Sequence, residues 1–265
     1  DEECQYQTIT AGQIDCIGTR SCRGGTLTSN NRQSGYIECS GQYSCSSQCS
    51  INRGSVSCTA TSTITAKKDV FCSGYQSCYQ AGSIDAKSIH CSASNACYSH
   101  NAILSPLTAT NTVTCGGHYA CDHTRIQAGK RVICSGEGAC DRARITGGAT
   151  VNCDAENACS GTQFTRQRKA VCCAGYAGCG SGDITRAKEA RFYGWQSGKL
   201  VSVTGVSSIK AYGYQAANNA VIDSGTATTM TVQAFGDSAL SGSVICRIGA
   251  ECTLSCKGTG CAGVT

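Results

Sequence analysis

Proline is almost missing: Pro106 is the sole one in 265 residues. That scarcity excludes proline-rich spacers and collagen-like triple helices, and no Ser/Gly-rich or charged stretch reads as a linker. One continuous domain over residues 1–265 is therefore expected. Aromatic and charged residues are scarce too, at 6% and 15%. A core of bulky side chains would be thin, so another device has to hold the fold. No apolar run approaches the ~20 residues of a membrane-spanning helix. No stretch repeats its apolar residues with the period of an amphipathic helix either. The net charge of +5 is modest for this length and gives no sign of nucleic acid binding.

What the chain has instead is cysteine, 24 residues of it. Thiol buffers of the cytosol would keep so many pairs reduced, so the protein is expected to be secreted into an oxidising environment. An opening of Asp1-Glu2-Glu3-Cys4 is not a charged and then apolar leader, and any secretory signal is expected to be gone already.

Aligning the cysteines reveals a repeat. Cys72-Ser-Gly-Tyr-Gln-Ser-Cys78, Cys91-Ser-Ala-Ser-Asn-Ala-Cys97, Cys115-Gly-Gly-His-Tyr-Ala-Cys121, Cys134-Ser-Gly-Glu-Gly-Ala-Cys140, Cys153-Asp-Ala-Glu-Asn-Ala-Cys159 and Cys173-Ala-Gly-Tyr-Ala-Gly-Cys179 share the frame C-x-G/A-x-x-x-C. Most starts fall 19 or 20 residues apart, the mark of stacked coils. The frame continues without cysteine through Phe192–Gly198, Ala211–Ala217 and Ala234–Leu240. Counting starts from Cys16 to Cys246, with Cys58 among them, gives thirteen candidate coils with loops of variable length.

Two β-branched stretches recur per unit. One leads into the first cysteine, as in Thr150-Val151-Asn152. The other is centred eleven residues beyond it, at Ile126, Ile145, Phe164, Ile184, Val203 and Ile222, mostly with polar neighbours. Alternation of this kind argues strand, and the expected fold is an all-β parallel β-solenoid with coils of about 19 residues. A disulfide needs Cα atoms about 4.4–6.8 Å apart, whereas six steps of straight strand span roughly 20 Å, so the chain must reverse between paired cysteines. The small third residue, as at Gly41 and Gly74, is expected to allow that tight corner. Within-coil pairs are expected for Cys16 and Cys22, Cys39 and Cys45, Cys72 and Cys78, Cys91 and Cys97, Cys115 and Cys121, Cys134 and Cys140, Cys153 and Cys159, Cys173 and Cys179, and Cys246 and Cys252, a ladder between coils being the alternative. Cys4, Cys49, Cys58, Cys172, Cys256 and Cys261 are left over, with Cys49/Cys58 and Cys256/Cys261 as the natural partners.

The C-x5-C corner in a thin repeating coil resembles the disulfide-bridged β-helices of beetle antifreeze proteins, from about Cys16 to Cys252 and as architecture only. That resemblance implies stacked, stapled coils. The flat double threonine face of those proteins is matched on one side alone, by Thr146, Thr165, Thr185 and Thr204, with charged and irregular residues on the other.

Four surface features are candidates for function. Asp154 and Glu156, with Glu137 one coil earlier, are the nearest approach to the clustered carboxylates of a glycan-cleaving enzyme. They sit at solvated corners, so no catalytic role is assigned. His118, Asp122 and His123 have side chains suited to a metal, yet nothing recurs in neighbouring coils and no metal or cofactor is expected. Lys68, Lys87, Lys130, Lys169 and Lys188 form a basic column before the unit start, fit for solubility or for an acidic polysaccharide or subunit. Tyr193, Trp195, Tyr212 and Tyr214 gather at the corners of the cysteine-free coils, with Tyr176 before them and Phe235 following. There they either replace the missing disulfides by ring stacking or form an interface. Neither end of the sequence shows a capping helix, as an assembling solenoid would allow. Together these features predict an extracellular structural protein, a subunit of a surface fibre, hair or coat that forms homo-oligomers or filaments. The competing expectation is a secreted carbohydrate-binding or adhesion module, with ice binding behind it.

Overall fold

The computed structural model describes residues 7–31, 35–46, 48–52, 55–60, 63–99, 106–148 and 150–265, with 48–52 and 55–60 described through their backbone alone. Two compact units divide the chain, Asp1–Lys130 and Arg131–Thr265. Each is a stack of coils joined by parallel strand pairing, and no helix occurs among the described residues.

In the first unit the strands that run into the corner place Cys16, Cys39, Cys72, Cys91 and Cys115 in register, coil upon coil. Across the coil, Leu27, Ile64, Ile84, Leu107 and Ile126 form a second column, each 1% exposed or less. The second unit repeats the plan. Cys134, Cys153, Cys173, Phe192, Ala211, Ala234 and Cys256 are in register, facing Ile145, Phe164, Ile184, Val203 and Ile222. Inward residues are short because the coil is thin. Burying each Ile, Val or Phe of the column contributes ~1.5–3 kcal/mol.

Between the two strands the chain turns through residues of alternating hand. From the coil of Cys16 to that of Ala234 the fourth residue after the first cysteine position is left-handed, as at Asn157 (φ 51°), Gln196 (54°) and Gln215 (50°). A non-glycine residue there costs ~1–2 kcal/mol. The cost is offset because each such N–H points at the next coil: Asn157 donates to the Tyr176 carbonyl at 2.9 Å and Gln196 to that of Tyr214 at 3.2 Å.

All nine expected C-x5-C disulfides are present, with Cα separations of 5.7–6.1 Å, and Cys256–Cys261 is a tenth. So many bridges mark an oxidising environment. Sulfurs of successive coils pile up: the Sγ atoms of Cys39, Cys72 and Cys78 lie within 4.8 Å of one another, as do those of Cys134, Cys153 and Cys159.

The first staple shows how the corner is made. Cys22 bonds to Cys16 across a Cα separation of 6.0 Å and is buried, but its own backbone is left-handed, φ 53°. Cys45, Cys78, Cys97, Cys121 and Cys140 share that conformation, φ 52–59°. In these six coils the hand reverses at the second cysteine and two residues before it, as at Arg20 (φ 59°), whereas at Cys159 and Cys179 only the residue two before is left-handed, Asn157 and Ala177. At Gly41 and Gly74 the third position has to be small because the coils pack closely there. A Cβ on Gly41 would come within 2.2 Å of the Gly18 carbonyl oxygen of the preceding coil, and one on Gly74 within 2.4 Å of that of Gly41.

Two of the thirteen expected coil starts are not coil starts. Cys58 lies in an antiparallel hairpin, Gln48–Asn52 with Ser55–Ala60, whose backbone sets Cys49 opposite Cys58. Their side chains, like Cys4, are outside the described residues. Cys246 and Cys252 staple an exposed loop between strands Leu240–Ile245 and Glu251–Lys257. The true start is Cys256, paired in register with Ala234. A frame read from C-x5-C spacing alone took the loop staple for a coil.

Candidate interface

Three coils of the second unit lack the staple, and their interior shows what replaces it. Phe192 stands at the first cysteine position and is fully buried. Opposite it, a Cβ added to Gly198 would come within 2.4 Å of Phe192 Cδ1, so the ring occupies the space of the absent sulfurs. The next coils place Ala211 with Ala217 and Ala234 with Leu240, all 0–1% exposed. Interior volume is therefore made good by Phe192 and Leu240, and the outer rings are not needed to fill it.

Those outer rings form two columns. In the cysteine-free coils the glycine at the corner becomes left-handed, at Gly194, Gly213 and Gly236 (φ 100°, 113° and 113°). Gly194 and Gly213 now donate forward, to the carbonyls of Tyr212 and Phe235. The strands Glu189–Tyr193 and Ser208–Tyr212 thereby extend one residue past the cysteine position, where Ala170–Cys173 stops. That residue is aromatic. Tyr193, Tyr212 and Phe235 are in register and stack face to face, with centroids 5.4 and 5.1 Å apart and planes 11° and 6° from parallel.

The second column lies two residues further on. Inter-coil hydrogen bonds at the corner order it as Glu137, Glu156, Tyr176, Trp195, Tyr214 and Asp237. Trp195 stands edge-on to both neighbours, 71° from Tyr176 at 5.3 Å and 72° from Tyr214 at 6.2 Å. Tyr176, Trp195 and Tyr214 are 43%, 56% and 52% exposed. The carboxylates considered for catalysis thus belong to the same corner: Glu137 and Glu156 continue the exposed aromatic column, and Asp154 stands beside it with its pKa raised by partial burial.

The sequence matches no family model, and no curated protein or solved structure matches it. The surface itself carries the functional argument.

The remaining candidates separate. Asp122, 5% exposed, pairs with His123, Oδ1 to Nδ1 at 2.7 Å, while His118 packs edge-on against Tyr119 at 4.2 Å. Lys68 and Lys87 are on adjacent coils of the first unit, where the Lys87 N–H donates to the Lys68 carbonyl. Lys130 follows Asn111 instead, which interrupts that column. In the second unit Lys169 and Lys188 sit among exposed arginines, Arg166, Arg168 and Arg186. The lysine frame alone did not reveal them.

Two further features escaped the sequence reading. Thr8, Thr26 and Thr63, with Thr10, Thr28 and Thr65, form a double threonine ladder in the first unit. The recurrent Thr-x-Thr was the signal, hidden by unequal loop lengths. Cys172 is an unpaired, half-buried thiol whose pKa is raised by burial, with Arg191 acting against the rise.

Proposed function

We propose that this protein is an extracellular structural subunit that associates with further copies of itself through the aromatic corner of its second unit. One observation carries the reading: Tyr176, Trp195 and Tyr214 are exposed in a continuous column on coils whose interior is already complete. Tyrosine and tryptophan concentrate binding energy at the centres of protein interfaces. The neighbouring column favours a protein partner over a sugar. Tyr212 has parallel rings on both sides, so neither of its faces is open for a pyranose to stack on. Staples in the preceding coils hold this surface rigid, which lowers the ordering cost of association.

Sedimentation velocity over a range of concentrations tests the proposal. Wild-type protein is expected to gain mass with concentration, and Trp195→Ala to weaken association by more than ~1 kcal/mol while leaving the circular dichroism spectrum unchanged. A monomer at all concentrations, unaltered by the substitution, rejects it. Sugar binding is the second reading, because Trp195 has no parallel ring against it. In that case a polysaccharide would shift the emission of Trp195, the only tryptophan.

A further inference from the structure

The aromatic column has a charge counterpart on the opposite corner of the coil. Where the second strand returns to the first, the segments Arg166-Gln167-Arg168-Lys169 and Arg186-Ala187-Lys188 occupy successive coils. Thr165 and Thr185 just before them are in register, and the Arg166 N–H donates to the Thr185 carbonyl at 3.0 Å. All five cations are exposed, and none takes part in an ion pair among the described residues. Neither segment contains an acid. Glu189, which follows them, is already held by Arg191 and Lys210. Asp183 stands on the strand before Arg186.

Backbone conformation sets these positions apart. Arg166 and Arg186 are left-handed, φ 58° and 56°, at a place where the flanking coils use Gly147 and Gly205, φ 69° and 67°. Glycine adopts that conformation without strain and arginine does not. Local folding therefore favours glycine here, yet two arginines are stacked on adjacent coils.

We infer that this basic corner receives the aromatic and acidic corner of a second copy of the chain, in a head-to-tail contact. The inference rests on the proposed self-association and names its two halves. Guanidinium groups bind carboxylates through paired hydrogen bonds and lie over the faces of tryptophan and tyrosine. The column Glu137, Glu156, Tyr176, Trp195, Tyr214 offers both partners in order along neighbouring coils. Like-to-like contact would set carboxylate against carboxylate, Glu137 and Glu156 against their own copies when the columns meet in register, or Glu137 against Asp237 when the columns run opposed. A contact between two different surfaces leaves one of each unused on every pair of copies, so it propagates into a filament unless the rotation closes a ring.

Two variants test this by complementation. The first, Arg166→Gly with Arg168→Ser and Arg186→Gly, removes the basic corner and places glycine where the backbone is left-handed, so its melting temperature is expected to equal or exceed that of wild type. The second, Glu156→Gln with Trp195→Ala, removes the other half. Each alone is expected to associate at least tenfold more weakly than wild type in sedimentation velocity. Mixed one to one, they still share one intact pair of surfaces and should form two-chain species and nothing larger. Wild type that assembles while the mixture stays monomeric overturns the head-to-tail contact and leaves self-association standing. Wild type that never assembles removes the proposed function itself. Unchanged assembly of the first variant, with loss only of its retention on heparin, would show the basic corner to serve an acidic polysaccharide and would also overturn the inference.

Discussion

Coils closed by cysteine and coils closed without it stand side by side in the second unit, and they solve one problem in two ways. In the coils of Cys134, Cys153 and Cys173 a covalent bridge of six-residue separation ties the corner to the strand. In those of Phe192, Ala211 and Ala234 the same interior place is filled by a ring, by two methyl groups and by a leucine. The staple joins residues of one coil, so cohesion between coils does not depend on it: the parallel ladder runs unbroken from Cys173 to Phe192. What each coil must preserve is a filled interior behind a tight corner. Sulfur is one way to fill it. The choice also shapes the outside, because the unstapled strand runs one residue longer and brings a ring into the ladder.

Removing the filler from an unstapled coil should have the largest effect. Phe192→Ala leaves a buried void beside Gly198, where no side chain can collapse into it, and is expected to cost ~3–5 kcal/mol, read from the shift of the urea midpoint. Opening a stapled coil should cost less, since the loop is short and the cavity smaller. Cys153→Ala with Cys159→Ala is expected to lose about 2–3 kcal/mol, with faster amide exchange confined to that coil and its neighbours. If the cysteine pair proves the costlier loss, the two closures are not equivalent. A transplant sharpens the comparison: Phe192→Cys with Gly198→Cys should form a disulfide, confirmed by peptide mapping without reduction. The net change should lie within ~1 kcal/mol of wild type, because lost ring burial and gained cross-link oppose one another.

Most of this architecture was legible in the sequence because the repeat is carried by residues with few alternatives. A cysteine pair six apart must bridge a reversal, and a β-branched residue eleven beyond must face inward. Reading the frame through Phe192, Ala211 and Ala234 located the unstapled coils as well. The left-handed backbone at Cys22 and its counterparts was not legible, since cysteine carries no preference for that conformation. The spacing rule failed at Cys246, where a surface loop of identical spacing carries a staple unrelated to the coil, and at Cys58, where a hairpin interrupts the count. The rings at Tyr193, Tyr212 and Phe235 were legible as a stripe. Their parallel stacking was not, because it depends on the flipped glycine and the extra strand residue. The arginines at 166, 168 and 186 were missed for a different reason. They adjoin Lys169 and Lys188 in the sequence itself, and a frame that followed lysine alone passed over them.

The smallest effect concerns what ties one coil to the next. Two cross-coil ion pairs start from the cysteine-free coils, Glu189 with Lys210 at 2.9 Å and Asp223 with Arg247, which lies in the loop stapled by Cys246 and Cys252, at 2.5 Å. In the stapled coils of the second unit the outward positions equivalent to Arg191 and Lys210 hold Ile133, Asn152 and Cys172, none of them a fixed charge. Hydrogen bonding to Arg191 and then Lys210, against some burial, holds the Glu189 carboxyl below its ordinary value of 4.5. Asp223 is held at about 2, chiefly by Arg247. For a carboxylate whose pKa is depressed by folding, the stabilisation is fully present above the unfolded-state value and is lost as pH falls through the folded-state value. Glu189→Gln should therefore lower the urea midpoint at neutral pH by an amount corresponding to less than about 1 kcal/mol, as partly solvated pairs do. The gap between variant and wild type should close once the pH is well below the ordinary glutamate value. Lys210→Met should reproduce the loss, and the double substitution should add little to either single one. A gap that persisted undiminished in acid would mean that Glu189 acts through packing, and the unstapled coils would then be held to one another by the backbone ladder and the ring columns alone.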